Sequence, residues 1–340
     1  MTGTYLQLLY GRNPDSVAAL EAPRHFAQSI YLINRDLSSS TELKPSTIAV
    51  VTSLTIHANL TGALKESRVH LDGLTHMVNL FSGGLSGLRD NNSALVQKIC
   101  RTDIEVALRE GTVTRFGSDP AMIRAAASAS ATLNANGGSG VRLYGLLMRP
   151  CATLQYIIKD ILALCRCARD GWHTLEPHEY QDTVITVFHR LIGFSPLRDS
   201  RPLPLVDDTW HLGLLAFMTT IFHAHVSHRA LYSDILTQRI RSHLLDEELA
   251  KHIQDQRFRF WLFFVYNFCM PENFDGRWLV PQVTRIIQQL NFTSWTQAKA
   301  SLGCFPWIDL LHDPPSQKLW EQAMPGTEDT ESVKYLAFGI

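Results

Sequence analysis

Along most of this chain the apolar side chains return every three or four positions, the spacing that stacks them on one face of an α-helix. Ile48, Val51, Leu54, Thr55 and Ala58 form one such stripe; Leu71, Leu74, Met77, Val78 and Phe81 form a second; Val96, Cys100, Ile104 and Leu108 form a third. The pattern continues through Leu154, Ile157, Ile158, Ile161, Leu162 and Cys165, then Val184, Val187, Phe188, Leu191 and Ile192, then Leu236, Ile240, Leu244 and Leu245. Helix punctuation agrees with the stripes. Asn13-Pro14 and Asp119-Pro120 each set a capping side chain before a proline that fits the first helical position, and Ser294 with Gln297 reads as a capping box. Gly83-Gly84, Gly111 and Gly303 stand where helices should stop.

The β-branched run Thr183-Val-Ile-Thr-Val187 is the one place where a strand competes, and its helical continuation through Leu191 decides for helix. The expected fold is therefore all-α: roughly ten to fourteen helices, judged from mean helix length, in a bundle or an arc of packed helix pairs without significant sheet. Residues 1–340 read as a single all-helical domain. Arg198 to Val206, with Pro202 and Pro204, forms a break that could separate subdomains, and Asn134 to Gly140 has the composition of a flexible loop. No repeat at a fixed period is visible.

Composition narrows the function classes. At 340 residues with 45% hydrophobic and 19% charged positions, the chain can bury a sizeable core. Its net charge of -1 offers no broad attraction to phosphate backbones, so direct nucleic-acid contact is not expected. The N-terminus lacks the basic and apolar regions of a signal peptide, and the apolar runs Leu212 to Val226 and Phe258 to Met270 fall short of the roughly 20 residues that cross a bilayer. Six cysteines lie singly between positions 100 and 304, apart from the Cys165-Arg-Cys167 pair, which suits a reducing compartment and excludes a cysteine-built zinc cluster.

Candidate chemistry is sparse. His223-Ala-His225-Val-Ser-His228 has the density of a metal site, but on a helix only His225 and His228 face the same way, so these read as helix-end and surface histidines. Asp207, Asp208 and His211 could form a carboxylate-oriented base; the preferred reading makes one of the aspartates the N-cap of the helix holding Trp210 to Phe222. Cys165 lies on an apolar stripe, which favours burial over reactivity. Phe258, Phe260, Trp261, Phe263, Phe264, Tyr266 and Phe268 are too continuous for one helix face and read as central core. Gly83-Gly84-x-x-Gly87 follows no strand and is no dinucleotide fingerprint, and neither a phosphate-binding loop nor a nucleophile elbow occurs. The C-terminal Glu328-Asp-Thr-Glu331, with Tyr335, Leu336, Phe338 and Ile340, mixes acids and aromatics as short activation segments do, although a frayed terminus is the plainer reading.

One segment carries more than periodicity. Glu66 to Leu88 resembles the stretch H-L-x-G-L-x-x-M-V-x-L-x-G-G-L of the middle region of fungal-specific transcription factors, a helical module that normally follows a two-zinc, six-cysteine DNA-binding cluster. His70, Leu71, Gly73, Leu74, Met77, Val78 and Leu80 match directly; Gly83, Gly84 and Leu85 match one place later, because Phe81 and Ser82 stand where the family has a single residue, usually arginine. Lys98 to Leu108 is similar to the helix that follows in that family. The likeness covers roughly 47 to 116. It implies a regulatory protein with no catalytic, cofactor-binding or metal-binding residues, located in the nucleus and acting through other regulators, self-association or a small-molecule effector. The zinc cluster is expected to be absent from this chain, which could be a truncated activator. The alternatives are a helical enzyme or helper with an apolar pocket, marked by convergent ionisable groups, and an interaction scaffold.

Overall fold

The computed structural model describes residues 17–39, 43–120, 122–124, 127, 131, 149–169, 176–198, 203–223, 233–246, 255–270 and 276–324. Among them are thirteen α-helices with both ends described, part of a further helix from Pro120, one 3-10 turn and no strand. In chain order they are α1 (Val17–Ser39), α2 (Pro45–Leu60), α3 (Leu64–Leu80), α4 (Gly84–Asn91), α5 (Ser93–Glu110), α6 (Ala152–Arg169), α7 (Pro177–Phe194), α8 (Leu205–His223), α9 (Asp234–Leu245), α10 (Gln256–Phe268), the turn Gly276–Trp278, α11 (Leu279–Gln289), α12 (Trp295–Leu302) and α13 (Asp309–Ala323). The all-α expectation holds, and Thr183 to Val187 is helical within α7.

Where the sequence leads one to expect a single domain with a break near 198–206, the chain groups into two compact units, Met1–Thr102 and Asp103–Ile340, with the division inside α5. In the first unit α2 and α3 form a hairpin. Gly62, at φ +78°, ends α2 in a Schellman turn in which the Ala63 N–H donates to the Ala58 carbonyl at 2.9 Å. The apolar stripes meet across this hairpin: Ile48, Val51, Leu54 and Ala58 of α2, and Leu71, Leu74, Met77 and Val78 of α3, are all buried.

In the second unit α8 and α10 are the two helices on which the rest assembles. α8 packs against α6, α7, α9 and α10, and α10 packs against α8, α9, α11, α12 and α13. A helix with neighbours on every side must be apolar all round. That explains the aromatic run: Phe258, Phe260, Trp261, Phe263, Phe264 and Tyr266 are all buried, as expected of central core, while Phe268 at the helix end is half-buried. The two helices cross at Gly213, where an added Cβ would come within 2.7 Å of both Leu262 and the Trp261 ring. Trp210, Phe258, Trp261 and Phe305 gather beside this crossing, with Trp210 and Phe258 centroids 4.4 Å apart, and Trp261 Nε1–H donates to the Pro306 carbonyl at 3.1 Å. Burying so large an indole is costly without that acceptor.

Local signals fare unevenly. Gly111, at φ +68°, stops α5. Pro120 is helical and the Ile123 N–H donates to the Asp119 carbonyl at 3.0 Å, so a helix starts at Asp119. The capping box at Ser294 is half made: Ser294 accepts from Gln297 N–H, but the Gln297 side chain accepts from Thr293 N–H instead of Ser294. Gly303 follows α12 with a right-handed φ of -64°, so its freedom at positive φ is unused. Asn13-Pro14, the loop 134–140 and the tail Glu328 to Ile340 lie outside the described residues.

Candidate functional site

The segment expected to hold a carboxylate-oriented base is built differently. α8 begins at Leu205, ahead of both aspartates, so neither is its N-cap, contrary to the sequence reading. Asp207 instead accepts the Cys151 N–H at 2.8 Å and thereby caps the start of α6, 56 residues away in sequence. His211 points into the core, donating from Nε2 to the Leu191 carbonyl at 2.8 Å and lying against the Phe194 ring. Asp208 turns to α9, where its Oδ2 lies 3.1 Å from His243 Nε2. Three residues adjacent in sequence thus serve three separate contacts.

The Asp208–His243 pair is the chemically most distinctive feature of the second unit. Both side chains are about one-fifth exposed, at 23% and 20%. They stand at the edge of an open cleft of about 470 Å³ lined by Asp208, Ile235, Gln238, Arg239, Ser242 and His243. A chamber of about 10 Å³, large enough for one water, is lined by Thr209, Leu212, Ile240, His243, Leu244, Arg259 and Leu262. His243 Nδ1 is buried and has no hydrogen-bond partner among the described residues. Burial holds the imidazole below its ordinary pKa, against the opposing pull of Asp208 and Asp246, and Arg239 adds to the lowering. His243 was not singled out in the sequence, although its place one step from the Leu236, Ile240, Leu244 stripe marks it as half-buried.

Other perturbed groups lie elsewhere in the same unit and are tied into packing. Asp103, fully buried on α5, accepts the Arg115 and Phe116 N–H groups at 3.0 and 2.9 Å, and burial raises it to about 6. His189 on α7 meets the Thr114 hydroxyl at 2.8 Å, and burial lowers it to about 4. The loop after α5 is thereby held from two helices. His312 sits among Phe217, Phe268 and Trp307 with ring centroids 5.0 to 5.1 Å away, and burial lowers it to about 3. Cys165 and Cys167 are both buried; the Cys165 and Cys269 thiols are pushed up to about 12 by burial, which withholds the thiolate. Asp160 and Arg190 make an ion pair between α6 and α7.

His225 and His228 lie outside the described residues, and His223 is the last residue of α8. Among the described residues no group of three His, Cys, Asp or Glu side chains could hold a metal ion, and no helix is long and apolar enough to cross a membrane.

The glycine phrase of the first unit is a turn between helices, not a ligand loop. Phe81 leaves α3 extended, Gly83 and Gly84 take φ of +78° and +58°, and α4 follows at once. Gly87 closes the turn: its N–H donates to the Gly83 carbonyl at 2.9 Å, and a Cβ there would lie 2.1 Å from the Ser82 carbonyl oxygen. The residues that match the family phrase divide into buried Leu71, Leu74, Met77, Val78 and Leu85, half-buried His70 and Gly84, and exposed Gly73, Leu80 and Gly83. Compared with protein-family models, with curated proteins and with solved structures, the chain matches none of them.

Proposed function

We propose that this chain is a regulatory helical protein of the kind that forms the middle region of fungal-specific transcription factors, acting through an effector or through other proteins rather than by catalysis. The observation that carries the reading is the α3–glycine–α4 turn. Its apolar residues Leu71, Leu74, Met77, Val78 and Leu85 are buried, its two glycines take the left-handed conformation that a side chain disfavours, and the second matching phrase follows in α5. Phe81 and Ser82, the departure from the family phrase, form the extended exit from α3 and leave the glycine turn intact.

The polar chemistry supports the same reading. A catalytic site gathers perturbed ionisable groups in one cleft. Here Asp103, His189, His312 and Cys269 each serve a different contact inside the fold, and the shifted pair that does share a space, His243 and Arg259, lines a chamber large enough only for a water. A nuclear location belongs to this proposal and rests on the resemblance.

The test tethers the full chain to an unrelated DNA-binding domain at a reporter promoter. Transcription several-fold above or below that of the DNA-binding domain alone is the expected result, and it should be lost when Gly87 is replaced by valine to break the turn. Output indistinguishable from the DNA-binding domain alone would remove the basis for the proposal.

A further inference from the structure

His243 joins two spaces of opposite character. Its Nε2 lies 3.1 Å from the Asp208 carboxylate across the α8–α9 contact, and the residue also helps to line the water-sized chamber between α8, α9 and α10. With Nε2 beside a carboxylate, the neutral tautomer that keeps its proton on Nε2 is favoured, and it leaves Nδ1 as a lone pair. That arrangement tolerates burial: an unpartnered imidazole lone pair costs far less than an unpartnered charge.

Protonation changes the account. The second proton must go on Nδ1, which is buried and has no acceptor among the described residues. The chamber that His243 helps to line is walled also by Leu212, Ile240, Leu244 and Leu262, with Arg259 as a further cation. Charged groups face the ring from each neighbouring helix: Asp208 from α8, Arg239 from α9 with Asp246 just beyond its end, and Arg259 from α10. The carboxylates favour the imidazolium, but neither supplies an acceptor at Nδ1. The open cleft does, because water reaches it and Asp208, Gln238 and Ser242 line it.

We propose that His243 is an acid-triggered latch: adding a proton at Nδ1 drives the imidazole out of the α8–α9–α10 crevice into the cleft and loosens the C-terminal half of α9. The ring's departure uncovers the apolar chamber and weakens the neighbouring bond in which Arg259 donates to the Leu244 carbonyl at 3.2 Å. An apolar groove then opens under mildly acidic conditions. The device does not depend on the transcription-factor reading.

Amide hydrogen exchange of the full chain, corrected for the intrinsic pH dependence, tests it. As pH falls from about 7.5 to about 5, exchange of the amides from Ile240 to Leu245 should accelerate roughly tenfold, most of it at the acid end because burial holds this ring below the ordinary imidazole range. His189 and His312, lowered to about 4 and about 3, stay neutral over most of that range, whereas Asp103, at about 6, titrates within it. His243→Gln separates the two: the amide keeps a donor for Asp208 but cannot be charged, so acceleration of these amides should vanish. A response that persists in His243→Gln, or none in the unaltered protein, overturns the latch. Should His243→Gln fold poorly, Asp208→Asn moves the response to lower pH by withdrawing the favourable carboxylate; a response at the unshifted pH overturns the proposal equally.

Discussion

His312 Nε2 lies 2.7 Å from the Thr220 hydroxyl, while the same ring's Nδ1 accepts the Ile308 N–H at 2.9 Å. The second bond fixes the tautomer: Nδ1 is the acceptor, so Nε2 carries the proton and donates to Thr220, whose hydroxyl donates in turn to the Phe217 carbonyl at 2.6 Å. One buried, neutral ring thus ties the start of α13 to α8. His312→Phe preserves the aromatic volume but strands the Ile308 N–H and removes the donor to the Thr220 hydroxyl, which keeps its bond to Phe217. It should cost about 2–4 kcal/mol, read from chemical denaturation. A cost below about 0.5 kcal/mol would show that the hydrogen bonds contribute little beyond shape.

The same group makes stability depend on pH. His189 and His312 are depressed to about 4 and about 3 in the fold, so the stability they contribute is present above the ordinary histidine pKa of about 6.5 and is lost as pH falls toward those values. Asp103 acts in the opposite sense: raised to about 6, its contribution is present below its ordinary value and lost as pH rises through about 6. Two histidines outweigh one aspartate of similar shift, so the urea midpoint should fall by several kcal/mol equivalent between about pH 7 and about pH 4. His312→Phe should make that fall shallower.

The signature turn ranks its glycines by physical demand. Gly87→Ala should destabilise the first unit most, by about 2–3 kcal/mol or more, because the new Cβ would collide with the Ser82 carbonyl oxygen and backbone must move. Gly84→Ala meets nothing within 4 Å and should cost only the left-handed strain of its φ of +58°, about 1 kcal/mol. Gly73→Ala, in the exposed face of α3 with open space around it, should stabilise by about 0.5–1 kcal/mol. Thermal melts of the three variants, ranked against the parent, check the order.

Asp207→Ala removes the acceptor of the Cys151 N–H at the start of α6. The expected cost is about 1–2 kcal/mol, with faster amide exchange concentrated in the first turn of α6 and not in α8, whose own first turn does not depend on this cap. Equal exchange in both helices would contradict the assignment.

Thiol labelling of the native protein should find Cys304 at once, because it is exposed, whereas Cys100, Cys165 and Cys269 are buried and should react only after denaturation. For Cys165 and Cys269 raising the pH to about 9 should not help, since burial holds both near 12.

Much of this protein follows from local rules. Stripes at helical spacing set which faces are buried, because only one face of a helix can reach the core: Leu71, Leu74, Met77 and Val78 are buried together for that reason. Gly111 ends α5 and the aromatic run 258–268 becomes a core helix because backbone freedom and all-round apolarity are properties of the chain itself. Polar partners are another matter. Asp207, Asp208 and His211 are close in sequence, yet they meet Cys151, His243 and Leu191, which lie at the start of α6, on α9 and on α7 respectively. Hydrogen bonds reach across space to whatever group a neighbouring helix brings within about 3 Å, and no local pattern specifies that neighbour. Asp103, His189, His312 and His243 acquired their shifted pKa values only when the helices packed around them and removed water.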